Sequence, residues 1–448
     1  MTDKKKKKKI VLTGGGTAGH VTPNIALLPF LKEAGYEVVY IGSVNGIERE
    51  LIQDCGIRYV GVPTGKLRRY FDLKNFTDPF RVVGGFLKAR SFLKKYRPDV
   101  VFSKGGFVSV PVVRAAAALK IPCVIHESDM TPGLANKLCF KAASKVCCNF
   151  PETVEKLPKG KAVLTGTPIR GDLFTGSREE GLRLCGFADP AAETAENTGA
   201  QIACAGNAPA ENAAAQGAGA GNAAAENTSA QGAGAGNAPA ENAAAQGAGA
   251  GNAPAEHTSV ESAQKPGAGK ASKPVLMIMG GSQGALSVNE AVRRHLDELL
   301  PDFNIVHLCG AGKYDASKEG VAGYKQFEYV KEDLKHLFAA ADVIVSRAGA
   351  NAIFEILALQ KPNLLIPLSI GTRGDQILNA RSFEAQGFSE VLVESEEEGI
   401  LDKKLVSTIR SLYQNRDKYM TAMAGAGQQG SIPTIMGLLN DLSGINKE

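Results

Sequence analysis

Three glycines, Gly14, Gly16 and Gly19, follow the apolar run Ile10–Leu12 and stand directly before His20. A glycine turn between a strand and a helix exposes bare backbone N–H groups at the positive end of a helix, which suits a phosphate or diphosphate. The spacing also satisfies a dinucleotide fingerprint. That site wants an acidic residue at the end of the second strand to hold a ribose, and here the strand ends Ile41, Gly42, Ser43. A second turn, Gly280 to Ala285, follows the run Val275–Met279, and the Ser282 hydroxyl adds a donor to it. A plain strand-to-helix turn with no ligand would read the same way. Glu355 lies on a helix beginning just after a strand and a glycine, where its carboxylate could accept both ribose hydroxyls of a nucleoside, or simply be solvated. Asp375 and Gln376 open another helix on the same side. No Asp-x-Asp pair occurs, so neither a protein-held metal on a diphosphate nor any cofactor is expected.

These residues need elements to hold them. Short β-branched runs alternate with helix-length amphipathic segments in both halves of the chain, the rhythm of parallel α/β sheets. The first half offers Ile10–Thr13, Val38–Ile41, Val100–Ser103, Cys123–His126 and Val163–Gly166 as strands. The second offers Val275–Met279, Ile305–Leu308, Val343–Ser346, Leu364–Pro367 and Val391–Glu394. The expected fold is α/β, two Rossmann-like doubly wound domains facing one another across a cleft at the carboxyl ends of their strands. IVLTGGGTAGHVTPNIAL and VLMIMGGSQGALSVNEAV read alike as strand, glycine turn and helix, so each half is expected to own a phosphate-sized turn. The domains are placed at 1–167 and 168–448, with the last helix packing back on the first domain.

The second domain is interrupted at 189–273 by a stretch of Ala, Gly, Asn, Glu and Gln, in which a unit near AGNAPAENAAAQGAG recurs from Ala205. Without an apolar face the unit cannot stack into a solenoid, and a disordered tether is expected. The remainder is ordinary globular sequence, 44% hydrophobic and 22% charged with a net charge of +5. No run approaches the ~20 apolar residues needed to cross a bilayer. Lys4 to Lys9 precede only three apolar residues, too few for a signal peptide, so a cytoplasmic chain is expected. The eight cysteines form no CxxC pair and read as reduced, mostly buried thiols. Between Lys66 and Arg97, basic residues interleave with Tyr70, Phe71, Phe76, Phe80, Phe86 and Phe92. That pattern suits an anionic lipid surface, with a solvated helix face as the plainer alternative; the small net charge disfavours nucleic acid.

Taken together, GGGTAGHVTPN, SKGGFVSVP, HESDMTPGLANK, GTPIR, GGSQGA, SRAGANAIFE and RGDQILNA resemble, in this order, the MurG family. These are glycosyltransferases of fold B, family 28, that move N-acetylglucosamine from UDP-N-acetylglucosamine to undecaprenyl-diphosphoryl-muramyl-pentapeptide in peptidoglycan synthesis. The resemblance covers nearly the whole chain apart from the lysine start and the repeats. It implies that Thr17, Ala18 and Gly19 line the cleft where donor and acceptor meet, that Arg170, Ser282, Glu355 and Gln376 hold the UDP-sugar, and that the protein works at the cytoplasmic face of the membrane. The family's commoner HEQN stands here as His126, Glu127, Ser128, Asp129, so a polar contact usual for Asn falls to Asp129; Asp375 before Gln376 is a second departure. For an inverting transfer His20 is the expected base, with Glu127 as the alternative base or the group that orients the acceptor, and His126 as structural. Another fold-B glycolipid transferase, a UDP-sugar epimerase and a non-catalytic nucleotide-sugar scaffold are the competing readings.

Overall fold

The computed structural model describes residues 7–65, 74–188, 273–281, 284–369, 374–426 and 430–445, with backbone alone for 74–79. The repeat segment, Ser282, the first half of the N-terminal lysine run and the first residues of the basic-aromatic segment lie outside the described residues.

Seven strands form the first sheet: β1 (Lys9–Thr13), β2 (Glu37–Ser43), β3 (Arg58–Val62), β4 (Val100–Ser103), β5 (Cys123–Glu127), β6 (Lys145–Cys148) and β7 (Ala162–Leu164). Their order is β3-β2-β1-β4-β5-β6-β7, all parallel. Six form the second: β8 (Val275–Met279), β9 (Asn304–Leu308), β10 (Tyr324–Phe327), β11 (Val343–Ser346), β12 (Asn363–Leu365) and β13 (Glu390–Val391), in the order β10-β9-β8-β11-β12-β13 and again parallel. β3, β6 and β10 were not expected from sequence.

Helices cover both faces of each sheet, so the central strands are apolar throughout rather than alternating. In the first sheet Val11, Val39, Val101 and Ile125 enter the core on one face, while Ile10, Leu12, Val38, Tyr40, Val100 and Phe102 enter the other. Period-two side-chain direction divides a continuous apolar run between two cores in this way. Each fully buried Val or Ile contributes about 1.5–3 kcal/mol relative to exposure.

Both sheets reverse their winding direction beside their first strand, between β1 and β4 and between β8 and β11. Chain leaves these neighbouring strands to opposite faces, opening a crevice at their carboxyl ends. The turns there are Gly14–His20 and Lys104–Gly106 in the first lobe, Gly280–Ala285 and Arg347–Gly349 in the second. The two first-lobe turns touch backbone to backbone: a Cβ on Gly106 (φ 80°) would lie 2.2 Å from the Gly15 carbonyl oxygen.

The lobes are tied to one another. Phe150, which follows β6, is 1% exposed and packs in the second lobe's core against Phe354 and Phe383, ring centroids 5.2 and 6.1 Å away. Helix Ser431–Ser443 returns to the first lobe, where Ile435, Met436 and Leu439 join the core beneath β1 and β2. Tyr36 Oη meets Asn440 Oδ1 at 3.0 Å and Ser443 Oγ at 2.6 Å there.

Candidate functional site: a cleft between two glycine turns

A cavity of about 1190 Å³ occupies the crevice between the lobes. From the first lobe it is lined by Gly16–Ala18, Ser43–Ile47, Val62–Thr64, Arg81 and Phe107; from the second by the glycine turn into Ser287, by Ser346, Arg347, Gly349 and Ala352, and by Leu368 and Gln376. Of the residues singled out from sequence, Gly16, Thr17, Ala18, Gln376 and the described part of the Gly280–Ala285 turn face this space directly.

His20 stands one layer behind. Its Nδ1 is 2.8 Å from Thr17 Oγ1, so the cavity wall and the imidazole are joined by one hydrogen bond. A partly accessible edge remains on the ring, yet its packed surroundings and then the charge of Lys104 push its pKa down to about 4, against a smaller opposing pull from Glu48. The ring is therefore neutral at pH 7. Gly19 lies at the lobe contact, where its carbonyl accepts from Asn351 Nδ2 at 2.8 Å.

The first glycine turn is not an empty phosphate cradle. Glu48, fully buried, accepts from Ser43 N (2.9 Å) and Ser43 Oγ (2.5 Å) on one oxygen and from Gly16 N (3.2 Å) on the other. The Glu48 side chain thus already occupies the N–H of Gly16 in the first turn. In the second lobe, a Cβ on Gly284 (φ 70°) would lie 2.0 Å from the Cys309 carbonyl oxygen, so only glycine lets that turn pack on the end of β9.

Glu127 lies outside the cavity lining. Its two oxygens accept from Ser128 N, Asp129 N, Gly133 N and Asn136 Nδ2, at 2.9, 3.2, 2.9 and 2.9 Å. Burial raises its pKa, and these donors oppose the rise. A carboxylate accepting four bonds shapes loop 128–133. Asp129 Oδ1 in turn accepts from Asn379 Nδ2 (3.2 Å), while Asn379 Oδ1 accepts from Met130 N (3.0 Å), so this loop is fastened to the second lobe. His126 is wholly buried between Gly166 O and Lys104 Nζ, each 2.8 Å away. Lys104 is buried too, and desolvation lowers its pKa to about 7.

Glu355 sits one helical turn beyond Asn351 and Ala352 on helix Ala350–Ala358, behind the cavity rim. Burial raises its pKa to about 7, with Arg170 pulling it down and Asp172 up. Arg170 pairs loosely with Asp172 at 3.6 Å, and its buried Nε has no hydrogen-bond partner. Gln376 Oε1 accepts from Leu368 N at 3.0 Å.

Sequence reading missed Arg347, Asn351, Asn379 and Glu48. The first three stand inside quoted motifs, and their roles depend on contacts across the chain. Arg347, 9% exposed, donates to Ile366 O (3.0 Å), Glu394 Oε2 (2.5 Å) and Ser287 Oγ (2.8 Å), fixing the second glycine turn's helix to the ends of β11 and β12. Among the described residues no group of His, Cys, Asp and Glu is arranged to hold a metal ion.

Two Rossmann-like lobes that close on one crevice with their switch-point turns form the fold-B architecture of glycosyltransferases. Residues 10–148 match the glycosyltransferase family 28 N-terminal domain, and residues 275–435 the glycosyltransferase family 28 C-terminal domain. The chain is 49% identical to the UDP-N-acetylglucosamine--N-acetylmuramyl-(pentapeptide) pyrophosphoryl-undecaprenol N-acetylglucosamine transferase of Lachnospira eligens, covering 97% of this chain and 99% of that protein. The protein of the same name from Clostridium tetani is 45% identical, over 96% of this chain and 97% of that one. Among solved structures, Acinetobacter baumannii MurG superposes with a TM-score of 0.61 at 20% identity, over 97% of this chain and 99% of that chain. The UDP-GlcNAc 2-epimerase of Neisseria meningitidis, solved bound to UDP-GlcNAc, shares the fold at a TM-score of 0.54 and 13% identity, over 97% of this chain and 100% of that one. This chain belongs to the MurG family of glycosyltransferase family 28.

Proposed function

We propose that this protein transfers N-acetylglucosamine from UDP-N-acetylglucosamine to the muramyl sugar of undecaprenyl-diphosphoryl-muramyl-pentapeptide, a step of peptidoglycan synthesis. The near-full-length identity of 49% to a transferase of that name carries the reading. The cavity supports it by offering both lobes' switch-point turns to one space.

The donor lies on the second lobe. The turn Gly280–Ala285, with Ser282, receives the diphosphate on backbone N–H groups at a helix start. Glu355 accepts the ribose hydroxyls, Gln376 and Arg170 complete the donor site, and Arg170 meets leaving-group charge. The acceptor enters from Thr17 to Gly19. Its hydroxyl gives its proton to Thr17 Oγ1 as the Thr17 proton passes to His20 Nδ1 over the 2.8 Å bond between them. His20 is the base. Glu127, expected as the alternative base or as the group that orients the acceptor, acts on the acceptor indirectly, by holding loop 128–133 and Asp129 beside its path.

The membrane contact belongs to the same reading. Helix Lys74–Tyr96 presents Phe80, Val83 and Leu87, 80%, 57% and 58% exposed, at a spacing that puts them on one stripe. Among the described residues no helix is long and apolar enough to cross a membrane. The stripe and its neighbouring cations hold the protein at an anionic cytoplasmic surface.

Incubating the purified protein with UDP-N-acetylglucosamine and lipid-linked muramyl-pentapeptide tests the reading. The lipid product gains the mass of one N-acetylhexosamine; an unchanged acceptor overturns the proposal.

A further inference from the structure

The acceptor's own diphosphate, between the muramyl sugar and the polyprenol, needs a partner in the cleft as well. The first glycine turn is a poor seat for it. An anion laid on Gly15 and Gly16 meets the buried Glu48 carboxylate, which already takes the Gly16 N–H. Two cationic side chains line the cavity among the described residues, Arg347 and Arg81. Arg347 is spent on Glu394, Ser287 and backbone carbonyls. Lys104 is buried under the floor, bonded to His126 and Ser128, and does not reach the cavity.

Arg81 is placed differently. It is exposed, and no described carboxylate pairs with it. Its helix is held hard against the end of β3: a Cβ on Gly85, one turn further along, would lie 2.1 Å from the Pro63 carbonyl oxygen. That close approach sets Arg81 beside Val62–Thr64 at the first-lobe end of the cavity. The exposed stripe of Phe80, Val83 and Leu87 begins at the preceding residue. One helix therefore carries apolar side chains for a bilayer and a guanidinium for the cleft, on adjoining faces.

Resting on the transferase reading, we propose that Arg81 grips the diphosphate of the lipid-linked acceptor. The guanidinium fork matches phosphate oxygens in pairs, and the polyprenol leaves along the adjoining apolar stripe. Sequence alone grouped Arg81 with the cations of a membrane surface; the cavity reassigns it to substrate.

The test uses a water-soluble acceptor with a short prenyl chain, without vesicles or detergent, so bilayer attraction plays no part. In Arg81→Ala the KM for this acceptor rises about tenfold or more, the donor KM stays within about twofold, and Arg81→Lys recovers part of the loss. Inorganic diphosphate competes with the acceptor in the wild type and more weakly in Arg81→Ala, a comparison that Arg81→Lys also supplies if the alanine variant folds poorly. Binding of Arg81→Ala to anionic phosphatidylglycerol vesicles stays near wild type. An unchanged acceptor KM overturns the proposal; paired with lost vesicle binding, it makes Arg81 a bilayer cation instead. No turnover by the wild-type protein would instead defeat the transferase reading beneath it.

Discussion

Asn351 Nδ2 donates to the carbonyl oxygen of Gly19 across 2.8 Å, joining the turn that ends in His20 to the helix that carries Glu355. The bond ties the lobes together between the proposed base and the proposed ribose site, and Asn351 Oδ1 is left buried without a partner. Removing it loosens closure without stripping the nucleotide site. In Asn351→Ala, kcat falls about tenfold, the scale of one lost hydrogen bond of ~1.4 kcal/mol, while calorimetric affinity for UDP stays within about twofold. Equal losses in both would place Asn351 in the nucleotide site.

Glu355 gives a pH signature. A carboxylate accepts two ribose hydroxyls only when ionised, and burial has raised its pKa to about 7. As pH falls below 7 the protonated fraction grows, so the donor KM rises, approaching about tenfold per pH unit well below the pKa. Glu355→Gln carries a raised KM that no longer follows pH over that range. A wild-type KM flat from pH 7.5 to about 5.5 would contradict the assignment.

The proposed proton path puts His20 and Thr17 in series. His20→Ala lowers kcat by about a hundredfold or more, the usual worth of a general base. Thr17→Val, which removes the hydroxyl between cavity and ring, falls comparably, and Thr17→Ser retains most activity. With saturating donor, the wild-type rate holds as pH drops and declines only toward about 4, where the imidazole takes a proton. A Thr17→Val variant with wild-type kcat would remove Thr17 from the proton's path.

Glu48 shapes the turn that bears them both. Glu48→Gln keeps the size but turns an NH₂ toward an N–H donor, leaving a buried group unsatisfied at a cost of about 1–3 kcal/mol. Thermal denaturation reads that loss as a lower Tm, and kcat falls with it because Thr17 and His20 are displaced. Unchanged Tm and kcat would show that the carboxylate is dispensable.

The fold was legible where strands are β-branched and fully buried. β1, β4, β8 and β11, which flank the switch points, read from IVLT, VVFS, VLMIM and VIVS, with ends within a residue of the observed ones. β6 did not, since KVCC spends half its length on cysteines, small apolar residues with a weak strand signature, although Cys147 and Cys148 are wholly buried. β10 hid for another reason: YKQF alternates buried and exposed at a sheet edge and is too short to stand out.

The site was legible as motifs and less so as roles. Thr17 and Gln376 face the cavity, but Glu127 turned out to hold a loop through four hydrogen bonds, and those donors are set by a backbone path that sequence does not display. Glu48 reads as an ordinary acidic residue in a helix's first turn, where Asp and Glu are common. Only the folded turn brings Ser43 and Gly16 onto it. Ser282 lies outside the described residues, so its place on the diphosphate rests on the motif GGSQGA.

The most direct measurement is the fate of label from radiolabelled UDP-N-acetylglucosamine offered lipid-linked muramyl-pentapeptide and diacylglycerol in the same reaction. The cleft assigned to both substrates predicts label in the muramyl lipid, and a His20→Ala variant that loses it. Label in diacylglycerol products, or in no lipid at all, would contradict the account.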